Sequence, residues 1–174
     1  DLEDFFNCFH FGRVKGFFEK NRNFKLPTEV ATIIAQITCF NGCLPQGAPS
    51  SPIITNLICQ ILDNRLLKLS KAYKLNYTRY ADDMTFSTNN KDFLMNYPTF
   101  FQKLENEITQ AGFRINTEKT SLRYRDSKQV VTGLIVNKKI SVDKSYYRET
   151  RAMANCLYTK GSFDIHGATG TINQ

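Results

Sequence analysis

The sequence has few of the residues that build metal centres and disulfide frameworks. Its only histidines, His10 and His166, lie at opposite ends of the chain. The five cysteines are odd in number, and although Cys39 and Cys43 are close in sequence, no second pair follows them. This spacing disfavours both a zinc site and a disulfide framework. We therefore expect reduced cysteines that pack in the interior, in a cytosolic setting.

The sequence also lacks the long apolar runs of membrane proteins. No run reaches the roughly 18 residues of a membrane span, and no signal peptide is recognisable. Internal repeats, low-complexity tracts and a dividing linker are equally missing. The 174 residues therefore predict one compact domain that buries roughly 70% of its unfolded surface. Because the sequence opens at Asp1 without a methionine, we expect an excerpt of a longer protein, with structure missing on both sides.

The residues that are present are typical of a basic globular protein. Hydrophobic residues make up 41% of the sequence and charged residues 22%, which argues against disorder. Lysine and arginine outnumber aspartate and glutamate by 23 to 16, so the formal net charge is +7. This excess indicates a polyanionic partner, most simply nucleic acid, although many basic proteins bind none.

Hydrophobic periodicity predicts three helices in the first half of the chain. The first runs to about Lys20, the second opens at residues 27–29, and the third follows a Pro-rich loop at residues 44–52. We expect serines of that loop to cap the third helix, with Pro52 in its first turn. The predicted buried faces are Phe9, Val14, Phe17 and Phe18, then Val30, Ile33, Ile34 and Ile37, then Ile54, Leu57, Ile58, Ile61 and Leu62.

For the second half of the chain we predict a hairpin, a helix, further strands and a last helix. The predicted fold class of the whole chain is α+β, with helices gathered on one face of an antiparallel sheet. We expect no clear element in residues 161–174. The first predicted elements are a hairpin at residues 76–87, with its corner at Ala81-Asp82, and a helix at 99–111 that ends at Gly112. A strand at 113–116 follows, and then a second hairpin at 130–136 and 139–142 that turns at Asn137-Lys138. The last predicted element is a helix that is capped by Asp143 and runs to about Tyr158.

The first hairpin holds two adjacent acids, Asp82 and Asp83, at its turn. Adjacent carboxylates repel each other, which suits them poorly to a dry core and well to holding divalent cations. Two-metal phosphoryl transfer uses two or three such carboxylates around a pair of Mg²⁺ ions about 4 Å apart, and Asp1 offers a third. The alternative for an Asp-Asp pair alone is a solvated turn.

Four segments in order resemble the palm motifs of reverse transcriptases. Tyr80-Ala81-Asp82-Asp83 is similar to the signature box of that family, and residues 1–6 resemble its first acidic motif. Residues 44–52 resemble the loop and helix between the two, and residues 112–120 resemble the lysine-bearing motif that follows. The resemblance covers the palm from Asp1 to about Val142. It implies a palm with partial fingers over residues 1–174, in which residues 143–174 lead toward a thumb.

Within that family, two stretches are most similar to retron reverse transcriptases of bacteria. These are the segment Gln-Gly-Ala-Pro-Ser-Ser-Pro, which begins at Gln46, and the segment Val-Thr-Gly, which begins at Val131. The sequence departs from the common retron pattern at Asn7-Cys8, where Pro-Ser is expected. The resemblance implies a bacterial cytoplasmic enzyme.

The resemblance also implies roles for individual residues. Asp1 and Asp82 are expected to be the main ligands of two Mg²⁺ ions, with Asp83 supporting them. Asp4 and the backbone at Leu2 would lie where the incoming triphosphate sits. Phe6 matches the steric gate that collides with a ribose 2′-hydroxyl, which implies deoxynucleotide substrates; either Phe5 or Phe6 is expected to be ordinary core.

Further matches concern the nucleotide, the primer and the template. Gln46 and Gly47 match residues that pack on the new base pair and the sugar, and Lys119 matches a lysine that protonates the leaving pyrophosphate. The alternative for Gln46 and Gly47 is an ordinary turn before a capped helix, and the alternative for Lys119 is a solvated surface lysine. Tyr80 and Met84 would shape the primer-end pocket or simply pack in the sheet. The basic residues expected to track a nucleic-acid backbone, or to form a solvated face, are Arg114, Arg123, Arg125 and Lys128.

The function implied by the resemblance is RNA-directed DNA synthesis. Expected partners are a structured non-coding RNA as template and primer, an RNA–DNA hybrid product, deoxynucleotides and an associated effector protein, with a role in anti-phage defence and no membrane partner. The alternatives are a group II intron or diversity-generating reverse transcriptase, a palm polymerase that copies RNA into RNA, and a catalytically silent RNA-binding module. Phe6 argues against RNA synthesis, and the three acids argue against the silent module.

Overall fold

The computed structural model describes residues 1–165 and 168–171, and it divides into two compact units, Asp1–Ser121 and Leu122–Gln174. Within the described residues, no helix is both long and apolar enough to cross a membrane. The fold is α+β, as predicted. The first unit contains α1 (Phe11–Lys20), α2 (Thr28–Thr38), α3 (Ser51–Ala72), β1 (Asn76–Tyr80), β2 (Asp83–Ser87) and α4 (Phe93–Gln110). The second contains β3 (Val130–Val131), β4 (Leu134–Ile135), α5 (Lys144–Lys160), β5 (Ser162–Ile165) and β6 (Ala168–Thr171).

The strands pair differently from the single sheet that the sequence predicts. The described strands form three antiparallel pairs, β1–β2, β3–β4 and β5–β6, with no named strand joining one pair to another. In the first unit, isolated bridges extend this pairing, and the one that joins Leu2 to Ile115 matters for the site. Segment 113–116, predicted as a strand, therefore pairs through its backbone without forming a longer ladder.

Helix α1 packs on a cluster of aromatic rings. It begins after His10, whose Nδ1 accepts a hydrogen bond from the backbone N–H of Arg13 at 3.2 Å. Val14 and Phe18 are buried on its inner face, and the helix ends at Lys20, before the polar break that the sequence predicts. The period of about 3.6 residues per turn was therefore sufficient to locate this helix.

Helix α2 buries a different face from the predicted one. Ala31 and Ala35 are fully buried, whereas Val30, Ile33 and Ile37 are exposed. The predicted buried face is therefore wrong for these three residues, whereas Ile34, its fourth member, packs partly buried against the core. Helix α2 packs on α1, and small residues allow two helices to approach closely, so the alanine stripe forms the contact.

Helix α3 forms much of the remaining core of the first unit. Ile54 and Leu62 are buried as predicted, but Ile61 is 62% exposed and does not belong to the buried face. The predicted serine cap is also wrong, because the Ser50 side chain makes no capping hydrogen bond. Ser51 instead donates from Oγ to the carbonyl of Pro45 at 2.7 Å, which ties the preceding loop to the start of the helix.

Helix α4 begins earlier than predicted, at Phe93 rather than residue 99, and it contains Pro98. Pro98 lies in the second turn, where its ring removes one intrahelical hydrogen bond. In the part of the helix that was not predicted, the ring of Phe93 contacts the rings of Tyr97 and Phe100. The helix ends as predicted, with Gly112 at a φ of +79° just beyond its last turn.

The second unit corrects the predicted position of its hairpin turn and confirms the predicted helix cap. Its hairpin turns at Thr132 and Gly133, both at positive φ, and not at Asn137-Lys138. Two consecutive positive φ values are typical of the tight turns that join antiparallel strands. A bridge between Ile135 and Ser141 retains part of the predicted pairing. Asp143 caps α5 as predicted, because its carboxylate accepts from the N–H of Ser145.

The tail after α5 contains more structure than the sequence indicates. Strands β5 and β6 pair with each other, so the expectation of no element there is wrong for these residues. Residues 166–167, including His166, and residues 172–174 lie outside the described part of the chain.

In the first unit, the rings of Phe5, Phe9 and Phe113 contact one another, and the side chain of Arg13 packs on two of them. The Arg13 guanidinium lies 4.4 Å from the ring centroid of Phe113 and 5.1 Å from that of Phe9. It also donates to the carbonyl of Cys8 at 3.2 Å and to that of Ala111 at 2.8 Å. Arg13 thus joins the segment that follows Asp1 to the loop that follows α4, and its burial lowers the pKa of the guanidinium.

Candidate active site

The two adjacent acids lie at the turn of the β1–β2 hairpin, as predicted. Tyr80 and Asp83 form the last pair of the ladder, which leaves Ala81 and Asp82 as a two-residue connection. Ala81 has a φ of 51°, a value that residues with a Cβ adopt rarely. Asp82 and Asp83 are both partly exposed, so the turn presents carboxylates at a surface and not in a dry core.

The chain segment at Asp1 lies directly beside this turn. The N–H of Leu2 donates to the carbonyl of Asp82 at 2.9 Å. On its other side, the N–H of Asn116 donates to the carbonyl of Asp1, and the N–H of Glu3 donates to that of Arg114, both at 2.9 Å. Leu2 is buried, whereas the Asp1 side chain is 23% exposed.

Lys119 forms an ion pair with Asp1. Its Nζ lies 3.6 Å from Oδ2 of Asp1. The position of Lys119 is fixed by a local turn, in which Asn116 Oδ1 accepts from the Lys119 N–H at 3.2 Å and the Asn116 carbonyl accepts from Thr120 Oγ1 at 2.7 Å. The same residue, Asn116, also pairs with the backbone of Asp1, so one short segment sets the distance between the two charges.

A pocket of about 490 Å³ opens next to these residues. Its volume is within the usual range for small-molecule sites. Residues from all four predicted motifs meet in its wall, namely Leu2, Asp4, Phe6, Gln46, Asp82, Asn116 and Lys119. Of the residues predicted to contact the nucleotide, Gly47 is not in this wall but adjoins Gln46.

The two phenylalanines after Asp4 have different surroundings. Phe5 is 3% exposed and stacks on Phe113 in the core, at a centroid distance of 5.7 Å. Phe6 is only partly buried, and both phenylalanines line the pocket. This arrangement is compatible with the predicted division into one core ring and one gate, although the gate role itself stays a prediction.

The loop before α3 holds Gln46 at the rim of the pocket. Leu44 is buried and donates its N–H to the carbonyl of Phe9 at 3.1 Å, while Ser51 holds Pro45 through the bond described above. Gly47 has a φ of +89°, and a Cβ at this position would meet no atom within 4 Å. Glycine is therefore required there by backbone conformation and not by crowding.

The donor chemistry of the site fits hard divalent cations. Asp1, Asp82 and Asp83 offer carboxylate oxygens, the ligands that Mg²⁺ prefers. Backbone pairing places the first two on adjacent chain segments. In residues 1–165 and 168–171, no group of three or more His, Cys, Asp or Glu side chains is close enough together to hold a metal ion. The carboxylates are thus neighbours by backbone rather than a closed ligand set.

The residues predicted to contact the primer and the template differ in exposure and in the unit to which they belong. Tyr80 is 73% exposed, Met84 is half-buried against the core, and Arg114 is exposed. Arg123, Arg125 and Lys128 belong to the second unit, where Lys128 pairs with Asp143. The described surface of the first unit therefore offers one of the four predicted basic residues next to the Asp1 segment.

The sequence prediction missed an ion pair under the turn. Arg79 and Tyr77 alternate with exposed neighbours in β1, and both contact Asp63 of α3. Burial, reinforced by Asp63, raises the pKa of the Tyr77 hydroxyl, and the hydrogen bond to Asp63 raises that of the Arg79 guanidinium. The period-2 pattern was visible in the sequence, and a charged residue on a buried strand face requires a partner.

The cysteines of the chain are unpaired thiols, and one of them, Cys43, lines the pocket. All five are free thiols, as predicted. Cys59 is buried in α3, and its burial raises the pKa of its thiol to about 11. Such a thiol is almost entirely protonated at neutral pH, which suits a packing role.

The chain is similar in sequence to proteins of one known family. Residues 3–152 match the family model described as reverse transcriptase (RNA-dependent DNA polymerase). The chain is 33% identical to the Retron Ec86 reverse transcriptase of Escherichia coli, over 99% of this chain and 52% of that protein. It is 35% identical to the Retron Mx162 reverse transcriptase of Myxococcus xanthus, over 79% of this chain and 33% of that protein. It is 31% identical to the Retron Mx65 reverse transcriptase of the same species, over 97% of this chain and 42% of that protein.

The chain spans about half the length of these curated relatives, or less. The family model nevertheless covers most of the present chain, including the Asp82 turn, the loop at Gln46 and Lys119. The chain therefore belongs to the reverse transcriptase family.

Proposed function

We propose that the chain carries the polymerase active site of a retron-type reverse transcriptase, which copies a structured non-coding RNA into DNA. The observation that carries this proposal is the pairing of the Asp1 segment with the Asp82 turn, beside a pocket walled by Phe6, Gln46 and Lys119. The retron enzymes among the relatives support the retron type. In the proposed reaction, a primer hydroxyl attacks the α-phosphate of a deoxynucleotide in line, and the bond to pyrophosphate breaks.

The metal requirement follows from the carboxylates. Reverse transcriptases generally use divalent metal ions, and we propose Mg²⁺, two ions, with Asp1 and Asp82 as main ligands and Asp83 in support. When bound, these ions supply charge neutralisation at the reacting phosphate and activate the attacking hydroxyl. The closeness of Asp1 and Asp82 along paired backbones supports this assignment.

The nucleotide would be oriented by residues of the pocket wall. Asp4 and the backbone at Leu2 would lie at the triphosphate, and Gln46 with Gly47 would pack on the new base pair and the sugar. The ring of Phe6 would occupy the volume that a ribose 2′-hydroxyl needs. Positioning of this kind contributes much of the rate acceleration when there is little covalent chemistry for the protein to perform.

The remaining roles concern the leaving group, the primer and the template. Lys119 would hold a proton at Nζ and donate it to the leaving pyrophosphate. Tyr80 and Met84 would shape the primer end, and Arg114 would contact a phosphate of the backbone. The proposed partners are the template and primer RNA, the RNA–DNA hybrid, deoxynucleotides and an effector protein in anti-phage defence, in the cytoplasm of a bacterium.

A primer-extension assay on the full-length protein tests this function. An RNA template with an annealed primer is incubated with Mg²⁺ and either deoxynucleotides or ribonucleotides, and an EDTA arm removes the metal. The proposal predicts extension with deoxynucleotides that stops in EDTA. Extension with ribonucleotides alone would identify an RNA-synthesising polymerase, and tight RNA binding without extension would identify a silent binding module; either result contradicts the proposal.

A further inference from the structure

A buried arginine links the catalytic turn to helix α3. Arg79 lies in β1, two residues before Ala81, and its side chain is only 4% exposed. Its Nε donates to Oδ1 of Asp63 at 2.8 Å, and its Nη2 donates to Oδ2 of the same carboxylate at 2.6 Å. Two parallel hydrogen bonds between a guanidinium and a carboxylate fix both groups in one plane. The orientation of Arg79 is therefore set by α3.

The third nitrogen of the same guanidinium reaches the turn. Arg79 Nη1 donates to the carbonyl oxygen of Ala81 at 3.0 Å. This carbonyl belongs to the planar peptide unit that joins Ala81 to Asp82, so its orientation sets the direction in which the chain continues to Asp82. Ala81 holds a φ of 51°, and such a conformation persists where its surroundings stabilise it. The Arg79 hydrogen bond is one such contact.

Two neighbours complete the network around Arg79. Tyr77, on the same face of β1, donates its hydroxyl to Oδ1 of Asp63 at 2.8 Å, and Oδ1 of Asn56 accepts from Arg79 Nη2 at 3.3 Å. Asn56 and Asp63 lie two turns apart on α3 and thus share one face of the helix. A two-stranded hairpin alone is marginally stable in water, so α3 supplies the rigid support that the turn needs.

We propose that Arg79, held by Asp63, is a positioning residue that fixes the Ala81–Asp82 peptide and thereby the direction of the Asp82 carboxylate. The inference rests on the proposed function, because the role of Asp82 as a metal ligand makes the geometry of the turn matter. Arg79 contacts neither nucleotide nor primer in this account. Its effect on the reaction passes through the backbone of the turn.

The first test replaces Arg79 by lysine in the full-length protein. Arg79→Lys keeps the charge, but one ammonium group cannot reproduce the fork on Asp63 and also reach the Ala81 carbonyl. Since a displacement of about 1 Å can lower a rate about 100-fold, we expect kcat for single-nucleotide addition to fall about 100-fold. The KM for the deoxynucleotide and the affinity for primer–template should change less than about threefold, because the nucleotide pocket keeps its walls.

A matched control uses an ion pair between Arg65 of α3 and Glu107 of α4. Arg65 Nη1 lies 3.6 Å from Oε2 of Glu107, and its side chain is 46% exposed. Arg65→Lys makes the same chemical change in an ion pair that does not contact the turn. It should leave kcat within about twofold of wild type, since exposed pairs contribute little.

A second variant separates positioning from stability. Buried ion pairs can often be replaced by apolar residues of similar volume without loss of stability. The combined variant Asp63→Leu, Arg79→Met and Tyr77→Phe removes the charges together with the hydroxyl that would lose its partner. We expect a melting temperature within a few degrees of wild type, with kcat still reduced about 100-fold. A purely structural role for Arg79 predicts instead that kcat returns with the melting temperature.

The outcomes distinguish this inference from the function on which it rests. Extension that is lost in Asp82→Asn but has wild-type kcat in Arg79→Lys overturns the positioning role and leaves the polymerase intact. Recovery of kcat in the stable combined variant overturns it as well. Unchanged extension in Asp82→Asn overturns the proposed function, and the inference with it. A fall in kcat with nearly constant KM in both Arg79 variants, against an unaffected Arg65→Lys, supports the positioning role.

Discussion

The ammonium nitrogen of Lys119 lies 3.6 Å from Oδ2 of Asp1. Asn116 is hydrogen-bonded to both residues, since its Oδ1 accepts from the Lys119 N–H and its own N–H donates to the Asp1 carbonyl. The lysine side chain is 64% exposed, so this ion pair contributes little to stability. We propose that its role is chemical. A cation held next to the acid segment is close to where the proposed leaving group departs.

Replacement of Lys119 by methionine removes that cation while keeping most of the side-chain volume. If Lys119 protonates the pyrophosphate, kcat for nucleotide addition should fall about 100-fold or more, the usual contribution of a general acid. The melting temperature should change little. Lys91→Met, at an exposed position before α4, serves as the control in single-turnover extension. A Lys119→Met enzyme with wild-type kcat would leave this lysine no role in the reaction.

The two adjacent phenylalanines allow a paired test of sugar selection. Phe6→Ala should open the pocket and raise the ratio of ribonucleotide to deoxynucleotide incorporation at least tenfold, on the order of one kcal/mol or more of lost discrimination. Phe5→Ala should instead lower the free energy of unfolding by roughly 3–5 kcal/mol, because Phe5 is core. Incorporation assays and urea denaturation separate the two effects. A Phe6→Ala enzyme that still rejects ribonucleotides would contradict the gate.

Arg13 is expected to matter for stability rather than for catalysis. Lysine in its place cannot reach the carbonyls of Cys8 and Ala111 together, and it loses the stacked guanidinium over Phe113. Hydrogen bonds that involve a charged group contribute about 1.5–3 kcal/mol each, so Arg13→Lys should lower the free energy of unfolding by about 2 kcal/mol. Urea denaturation measures the change. Arg22→Lys, at an exposed position, should be neutral, and equal effects of the two substitutions would refute the role of Arg13.

Substitution by alanine is expected to change stability in opposite directions at two glycines. Gly47 has a φ of +89°, where a Cβ introduces strain, so Gly47→Ala should lower the free energy of unfolding by roughly 1–2 kcal/mol. Gly16 lies within α1 and has open space around it, so Gly16→Ala should raise that free energy by roughly 0.5–1 kcal/mol. Both are measured by urea denaturation. Stabilisation by Gly47→Ala would show that the loop tolerates another conformation.

Local rules were sufficient where one stretch of sequence determines the structure. The Ala81-Asp82 turn, the end of α1 and the Asp143 cap of α5 each depend on a few neighbouring residues, and all were predicted. Local rules failed where one helix has two apolar faces and either could be the buried one. In α2 an alanine stripe and an isoleucine stripe are both apolar, and the close approach to α1 selects the alanines.

The contacts beneath the site depend on partners distant in sequence, which periodicity does not reveal. The alternation in β1 places Arg79 on a buried face, but nothing local names Asp63 as its partner. The contact of Arg13 with the carbonyl of Ala111 spans an even longer separation. The acids of the site were found by their resemblance to a family, whereas these supporting residues required the structure.

The most direct test of the account compares Asp82→Asn with Asp92→Asn in full-length protein, by primer extension on an RNA template with Mg²⁺. Both substitutions remove one negative charge, but Asp92 lies at the start of α4 and its side chain makes no capping bond. Asp82→Asn should abolish extension while the melting temperature stays near that of wild type, and Asp92→Asn should extend the primer as wild type does. Equal extension by the two variants would contradict the assignment of Asp82 as a metal ligand.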